Sequence, residues 1–123
     1  MTEWKESLPM SEHMTDMNGE ARLLSALGLC ARARKLIYGV PMICEALRKG
    51  GKSAPILVLE TSDTSENTHK KISDKCSYYN TRLVRLSSTG AELAAALGKT
   101  SSLAAVAVTD ENICRLVEKN IRP

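Results

Sequence analysis

The chain predicts an α/β domain in which a sheet lies between helices in three layers. Helix-type and strand-type segments alternate from residue 19 to the end. Residues 54–60 and 103–108 are almost continuously apolar, as strands covered on both faces are. Each of these runs is followed within a few residues by an aspartate able to start a helix. At 123 residues with 43% hydrophobic side chains there is room for one domain with an ordinary core. The reading places that domain at 19–123, behind a flexible acidic N-terminal extension at 1–18.

Residues 1–18 hold four of the five methionines and the only Trp, with no sustained apolar period, and Pro9 stops any turn built on Trp4 and Leu8. Leu23, Leu24, Leu27, Cys30 and Ala31 then share one helical face, predicting a core helix over 19–32. Residues 35–39 form a short strand closed by Gly39. Pro41 suits the first turn of a helix that buries Ile43, Ala46 and Leu47 and stops at Gly50 and Gly51. After the strand at 54–60, Asp63 followed by Glu66 reads as a capping box, predicting a helix over 64–79. Thr68, Ile72, Cys76 and Tyr79 make its apolar stripe, while Lys70, Lys71, Asp74 and Lys75 lie off it as a solvated face. Residues 81–86 form another short strand, and Ser88-Thr89-Gly90 leads into a small apolar helix over 91–97 that stops at Gly98. The strand at 103–108 precedes a last helix capped by Asp110 and carrying Ile113, Leu116 and Val117.

Charge is unevenly distributed. The net charge is +3, yet residues 1–20 hold one Lys against five acidic side chains, leaving 16 basic against nine acidic in the rest. A basic body attracts polyanions, which favours a nucleic-acid partner over a membrane; scattered solvated lysines are the plainer reading. Cys30, Cys44, Cys76 and Cys114 stand far apart without a Cys-x-x-Cys pair, so they read as buried thiols of a cytoplasmic protein, with no metal and no cofactor. Cys76 and His69 lie two helical turns apart, about 10 Å, too far for proton transfer. No phosphate-loop motif is present. Aromatic residues make up 3% of the chain and Phe is absent, which excludes a single-strand binder built on stacked rings.

Four pieces in order carry a family resemblance: Leu27-Gly28-Leu29-Cys30-Ala31-Arg32-Ala33-Arg34-Lys35 leading to Gly39; Ser65-x-Asn67-Thr68-x-Lys70-Lys71; Asp74-Lys75-Cys76-x-Tyr78-Tyr79; and Leu93 to Gly98 before an alanine-valine strand. Over residues 22–118 the chain resembles the L7Ae/L30e kink-turn RNA-binding ribosomal-protein family, and most of all its small bacterial YlxQ-type branch. The resemblance implies an α/β/α sandwich around a four-stranded mixed sheet, binding to structured RNA in ribosome assembly or translation, and no catalysis. In kink-turn binders an Asn-Glu pair and then a Lys follow the glycine that corresponds to Gly39. Here those positions hold Pro41, Met42 and Glu45. Pro41 has no amide proton and Met42 no strong donor or acceptor, so the resemblance carries the fold and the place of the RNA face rather than the family's base readout.

The RNA face so implied comprises Arg34, Lys35, Gly39, Val40, Pro41, Met42, Glu45, Arg48, Lys99, Thr100 and Ser101. Arg32, Arg34 and Lys35, with Arg48, Lys49 and Lys52, read either as phosphate contacts or as cations that complement helix C-terminal dipoles. The loop holding Lys99, Thr100 and Ser101 reads on its own as a flexible connection, and the resemblance sets it beside the RNA. The alternative to RNA binding is a protein-interaction module that kept the fold and docks a partner of the translation machinery on Val40, Pro41, Met42 and Ile43. A thiol-dependent enzyme at Cys76 is a third reading. A monomer without membrane contact is expected.

Overall fold

The computed structural model describes the backbone of residues 13–119 and the side chains from Glu20 onward. Helix and strand alternate there as α1 (His13–Arg32), β1 (Leu36–Tyr38), α2 (Val40–Lys49), β2 (Leu57–Glu60), α3 (Glu66–Tyr78), β3 (Arg82–Arg85), α4 (Gly90–Ala96), β4 (Ala105–Val108) and α5 (Glu111–Lys119). The four strands form one mixed sheet in the order β1-β4-β2-β3. β4 runs antiparallel to β1 and β2, and β2 runs parallel to β3. The two central strands are wholly buried, which is why their sequences are continuous apolar runs. β3 lies at an edge and exposes Arg82 and Arg85, charges that discourage pairing with another chain.

Strand alternation sorts the side chains into two cores. Leu57, Leu59, Val106 and Val108 join Leu23, Leu27, Cys30, Leu93, Cys114 and Val117 on the α1/α4/α5 side. Val58, Ala105 and Ala107 join Val40, Ile43, Leu47, Ile72 and Cys76 on the α2/α3 side. β4 thus offers valines to one layer and alanines to the other, and α2 and α3 pack over the smaller side chains. Each fully buried Leu or Ile in these layers contributes about 1.5–3 kcal/mol.

The register sets the orientation of everything else. Leu36, Leu57, Arg82 and Val108 are level at one end of the sheet, here the lower end; Glu60, Arg85 and Ala105 are level at the other, the upper end. β1, β2 and β3 finish at the upper end, so α2 and α3 begin there and descend. α1 finishes at the lower end, where β1 begins.

Several local expectations are corrected. α1 begins at His13, so the last six residues of the expected extension are helical; residues 1–12 and 120–123, and with them the reading of Trp4, Leu8 and Pro9, lie outside the described residues. Asp63 is not the cap of α3. Ser65 is, accepting from the Thr68 N–H at 3.2 Å. Asp63 instead accepts the Gly90 N–H at 2.9 Å, across to the start of α4, and that bond holds its carboxyl below the usual range. The capping box belongs to α4, where Thr89 and Glu92 exchange bonds reciprocally. The regular ladder of β2 starts at Leu57 rather than 54, because Pro55 has no N–H to give it.

Candidate nucleic-acid interface

α2 starts directly at the upper end of β1. Gly39 makes the turn with φ 86°, a left-handed conformation that a side chain disfavours, and its N–H bonds the Ala105 carbonyl. As the N-cap of α2 it offers no side-chain acceptor, and Pro41 in the first turn has no N–H. The backbone donors left to this helix end are those of Val40 and Met42. Pro41 and Met42 are exposed, Met42 by 61%, whereas Val40 is buried in the α2/α3 core. Val40 therefore belongs to the scaffold, and the surface of the turn is half-buried Gly39 with exposed Pro41 and Met42.

The loop after α4 comes to the same end. The Lys99 N–H bonds the Ala94 carbonyl and the Leu103 N–H bonds the Gly90 carbonyl, so both ends of the loop are tied to α4. Gly90 is needed there: a Cβ on it would stand 2.3 Å from the Ser102 hydroxyl and 2.7 Å from the Leu103 carbonyl oxygen. Between these ties Lys99, Thr100 and Ser101 are exposed. The Lys99 ammonium lies over the Tyr38 ring, 4.2 Å from its centroid, one residue before the glycine that starts α2.

Glu45 and Arg48 sit further down α2 and hold each other. The guanidinium donates through both Nε and Nη2 to the two carboxylate oxygens, which keeps the Glu45 carboxyl below the usual range. The Glu45 anion is thus neutralised by its own neighbour.

Arg34 and Lys35 are elsewhere. They precede β1 at the lower end, and the Lys35 ammonium lies 3.7 Å from the Asp110 carboxylate. Arg34 has φ 60° and closes α1, with its N–H on the Ala31 carbonyl. The structure thus gathers Gly39, Pro41, Met42, Lys99, Thr100 and Ser101 at the upper end, sets Glu45 and Arg48 down the side of α2, and puts Arg34 and Lys35 at the opposite end.

One polar feature of the upper end was missed by sequence reasoning. Glu60, at the finish of β2, is fully buried, and both its carboxylate oxygens lie 2.8 Å from His69 Nδ1 on α3. The signal was a carboxylate closing an apolar run, nine residues before a histidine. Three of the four thiols are buried, and burial pushes Cys30 and Cys76 up to about 11 and raises Cys114 as well. Among the described residues no group of three His, Cys, Asp or Glu side chains converges on a metal-sized space, and no helix is long and apolar enough to cross a membrane.

Comparison with known proteins gives a consistent picture. The model of the ribosomal protein L7Ae/L30e/S12e/Gadd45 family matches residues 21–117. A protein named RNA-binding protein YlxQ from Bacillus subtilis is 40% identical over 85 residues, 69% of this chain and 80% of that protein. Its namesake from Enterococcus faecium is 38% identical over 78 residues, 63% of this chain and 72% of the other. Among solved structures, a protein of unknown function from Bacillus halodurans superposes with a TM-score of 0.72 at 32% identity, covering 81% of this chain and 96% of that one. A Giardia lamblia 15.5kD RNA binding protein superposes with a TM-score of 0.67 at 12% identity over 84% of each chain, a likeness of fold alone.

Proposed function

Because this chain belongs to the ribosomal protein L7Ae/L30e/S12e/Gadd45 family, in its YlxQ-type branch, we propose that it is a non-enzymatic RNA-binding protein that engages structured RNA at the upper end of its sheet. The observation that carries the placement is the Lys99 ammonium over the Tyr38 ring, which stands two residues before α2 begins. Backbone N–H groups at a helix start carry partial positive charge and suit a phosphate. Lys99 adds a full charge, and the Thr100 and Ser101 hydroxyls add neutral donors. Pro41 and Met42 present apolar surface in place of groups that read base edges, so recognition is led by backbone shape and charge, and a kink is bound as a shape. The setting we assign is ribosome assembly or translation, in the cytoplasm, with the protein acting as a monomer.

A second reading has its own observation: Met42, 61% exposed beside exposed Pro41, is the kind of apolar surface a protein partner would use. One titration separates the two. Binding to a kink-turn RNA, a matched straight duplex and a protein-free single strand is measured over a range of salt. RNA binding predicts affinity that falls log-linearly with salt and favours the structured RNAs. No binding to any of them at about 0.15 M salt would move the assignment to a protein partner.

A further inference from the structure

The Lys99 ammonium is the one charge of the proposed interface that the structure shows supported from below. Its support is Tyr38, a half-buried residue packed against the α1/α4/α5 core through β1. The ring is fixed by that packing and by the strand register, Tyr38 opposite Val106. The Lys99 backbone is fixed too, by its N–H bond to Ala94 after the Gly98 turn at φ 74°. With both ends held, the four-carbon stem is left few conformations that reach the ring face. Burial raises the Tyr38 hydroxyl above its ordinary value, so the ring stays neutral at physiological pH. The hydroxyl makes no hydrogen bond with any described residue, so it is the ring face that acts on Lys99.

We propose that Tyr38 is a positioning residue of the RNA interface: its ring holds the Lys99 ammonium beside the start of α2, ready for a phosphate oxygen. The inference rests on the proposed RNA-binding function. A free lysine on a loop loses most of its side-chain freedom when it grips a phosphate, and a lysine already held over a ring loses less. A ring uses only part of the ammonium, since cation–π attraction leaves N–H donors directed away from the face, so support and phosphate contact are compatible. Aromaticity, not the hydroxyl, is what the position requires.

The test is a double-mutant cycle in RNA affinity at about 0.1 M salt, with a kink-turn RNA as probe. Tyr38→Leu is expected to weaken binding about two- to fivefold, the range that loss of an exposed cation–π contact produces. Tyr38→Phe should bind like the native protein. In a Lys99→Met background, Tyr38→Leu should have no further effect, and any general loosening of the fold by that change is common to both backgrounds and cancels. A readout without substitution at the ring comes from proton NMR of the native protein, where the Lys99 ε-methylene signals should be shifted upfield by the ring current. Equal losses from Tyr38→Leu in both backgrounds would overturn the proposal, because Tyr38 would then meet the RNA itself. So would Tyr38→Phe failing like Tyr38→Leu, or unshifted Lys99 signals. If Lys99→Met binds normally while Met42→Asp is impaired, the interface stands and the role of Tyr38 falls; if neither is impaired, the interface itself is misplaced.

Discussion

The two ends of the sheet hold cations for different reasons. At the lower end Arg34 and Lys35 follow the C-terminus of α1, and Arg48 and Lys49 lie in the last turn of α2. Helix C-termini carry partial negative charge, so these cations answer a demand of the fold, and Lys35 and Arg48 are further matched to Asp110 and Glu45. At the upper end α2 and α3 begin, the helix dipoles are positive, and Lys99 adds to them with its ammonium over an aromatic ring. Charge that adds to a dipole is left for a ligand, whereas charge that opposes one is consumed at home. The position of a cation relative to the helix ends therefore tells more about its use than its place in the sequence.

The largest effect expected from probing this contrast is structural. Gly90→Ala forces a methyl group against Ser102 and Leu103, and overpacking of this kind costs about 1–3 kcal/mol, to be read from urea melts. The same change should displace the Lys99 loop and weaken RNA binding, which a purely structural glycine would not do at saturating folded protein. Next comes charge reversal: Lys99→Glu should reduce RNA affinity about tenfold at 0.1 M salt and lower the salt slope by about 1. Arg34→Glu with Lys35→Glu removes twice the charge yet should cost less, and an equal or greater loss would erase the difference between the ends.

Smaller effects sharpen the contrast from the lower side. Arg34 closes α1 in a left-handed conformation, so Arg34→Gly should stabilise the fold by about 0.5–1 kcal/mol in thermal melts and leave RNA binding unchanged. Glu45→Gln frees Arg48 at the lower end and should leave RNA affinity nearly unchanged, with little change in stability, because an exposed ion pair contributes little. The smallest change concerns acid. The Asp63 carboxyl is held below its usual range by the Gly90 N–H, so its contribution is present at neutral pH and is lost as pH falls through the lowered value. Asp63→Asn should therefore lower stability at neutral pH and flatten its fall in acid, the variant and the native protein converging as pH drops below about 4.

Much of the fold was legible because it is written in local periods. The alternation, the two buried strands and the Ile72/Cys76 stripe of α3 all stand where apolar spacing puts them. The caps were less so. Asp63 and Ser65 are both able to start α3, and the choice is made by a bond from Asp63 to Gly90, far along the chain, that no local pattern records. The site was half legible for the same reason. Gly39 and Pro41 announce a strand-to-helix turn, and the family resemblance pointed to the Lys99 loop. Grouping Arg34 and Lys35 with Gly39 followed their closeness in sequence, yet a strand lies between them and advances about 3.3 Å per residue. Tyr38 and Lys99, remote in sequence, are the pair that meets. Glu60 and His69 escaped because a buried carboxylate at a strand end looks, in sequence, like any polar residue that stops an apolar run.

The central claim is that the upper end of the sheet is the RNA face and the lower end is not. Its most direct test is amide chemical-shift mapping of the folded protein while a kink-turn RNA is titrated in. The account predicts that Gly39, Met42, Lys99, Thr100 and Ser101 shift together, while Arg34, Lys35 and Asp110 stay in place. Shifts concentrated at Arg34 and Lys35, or spread evenly over both ends, would contradict it.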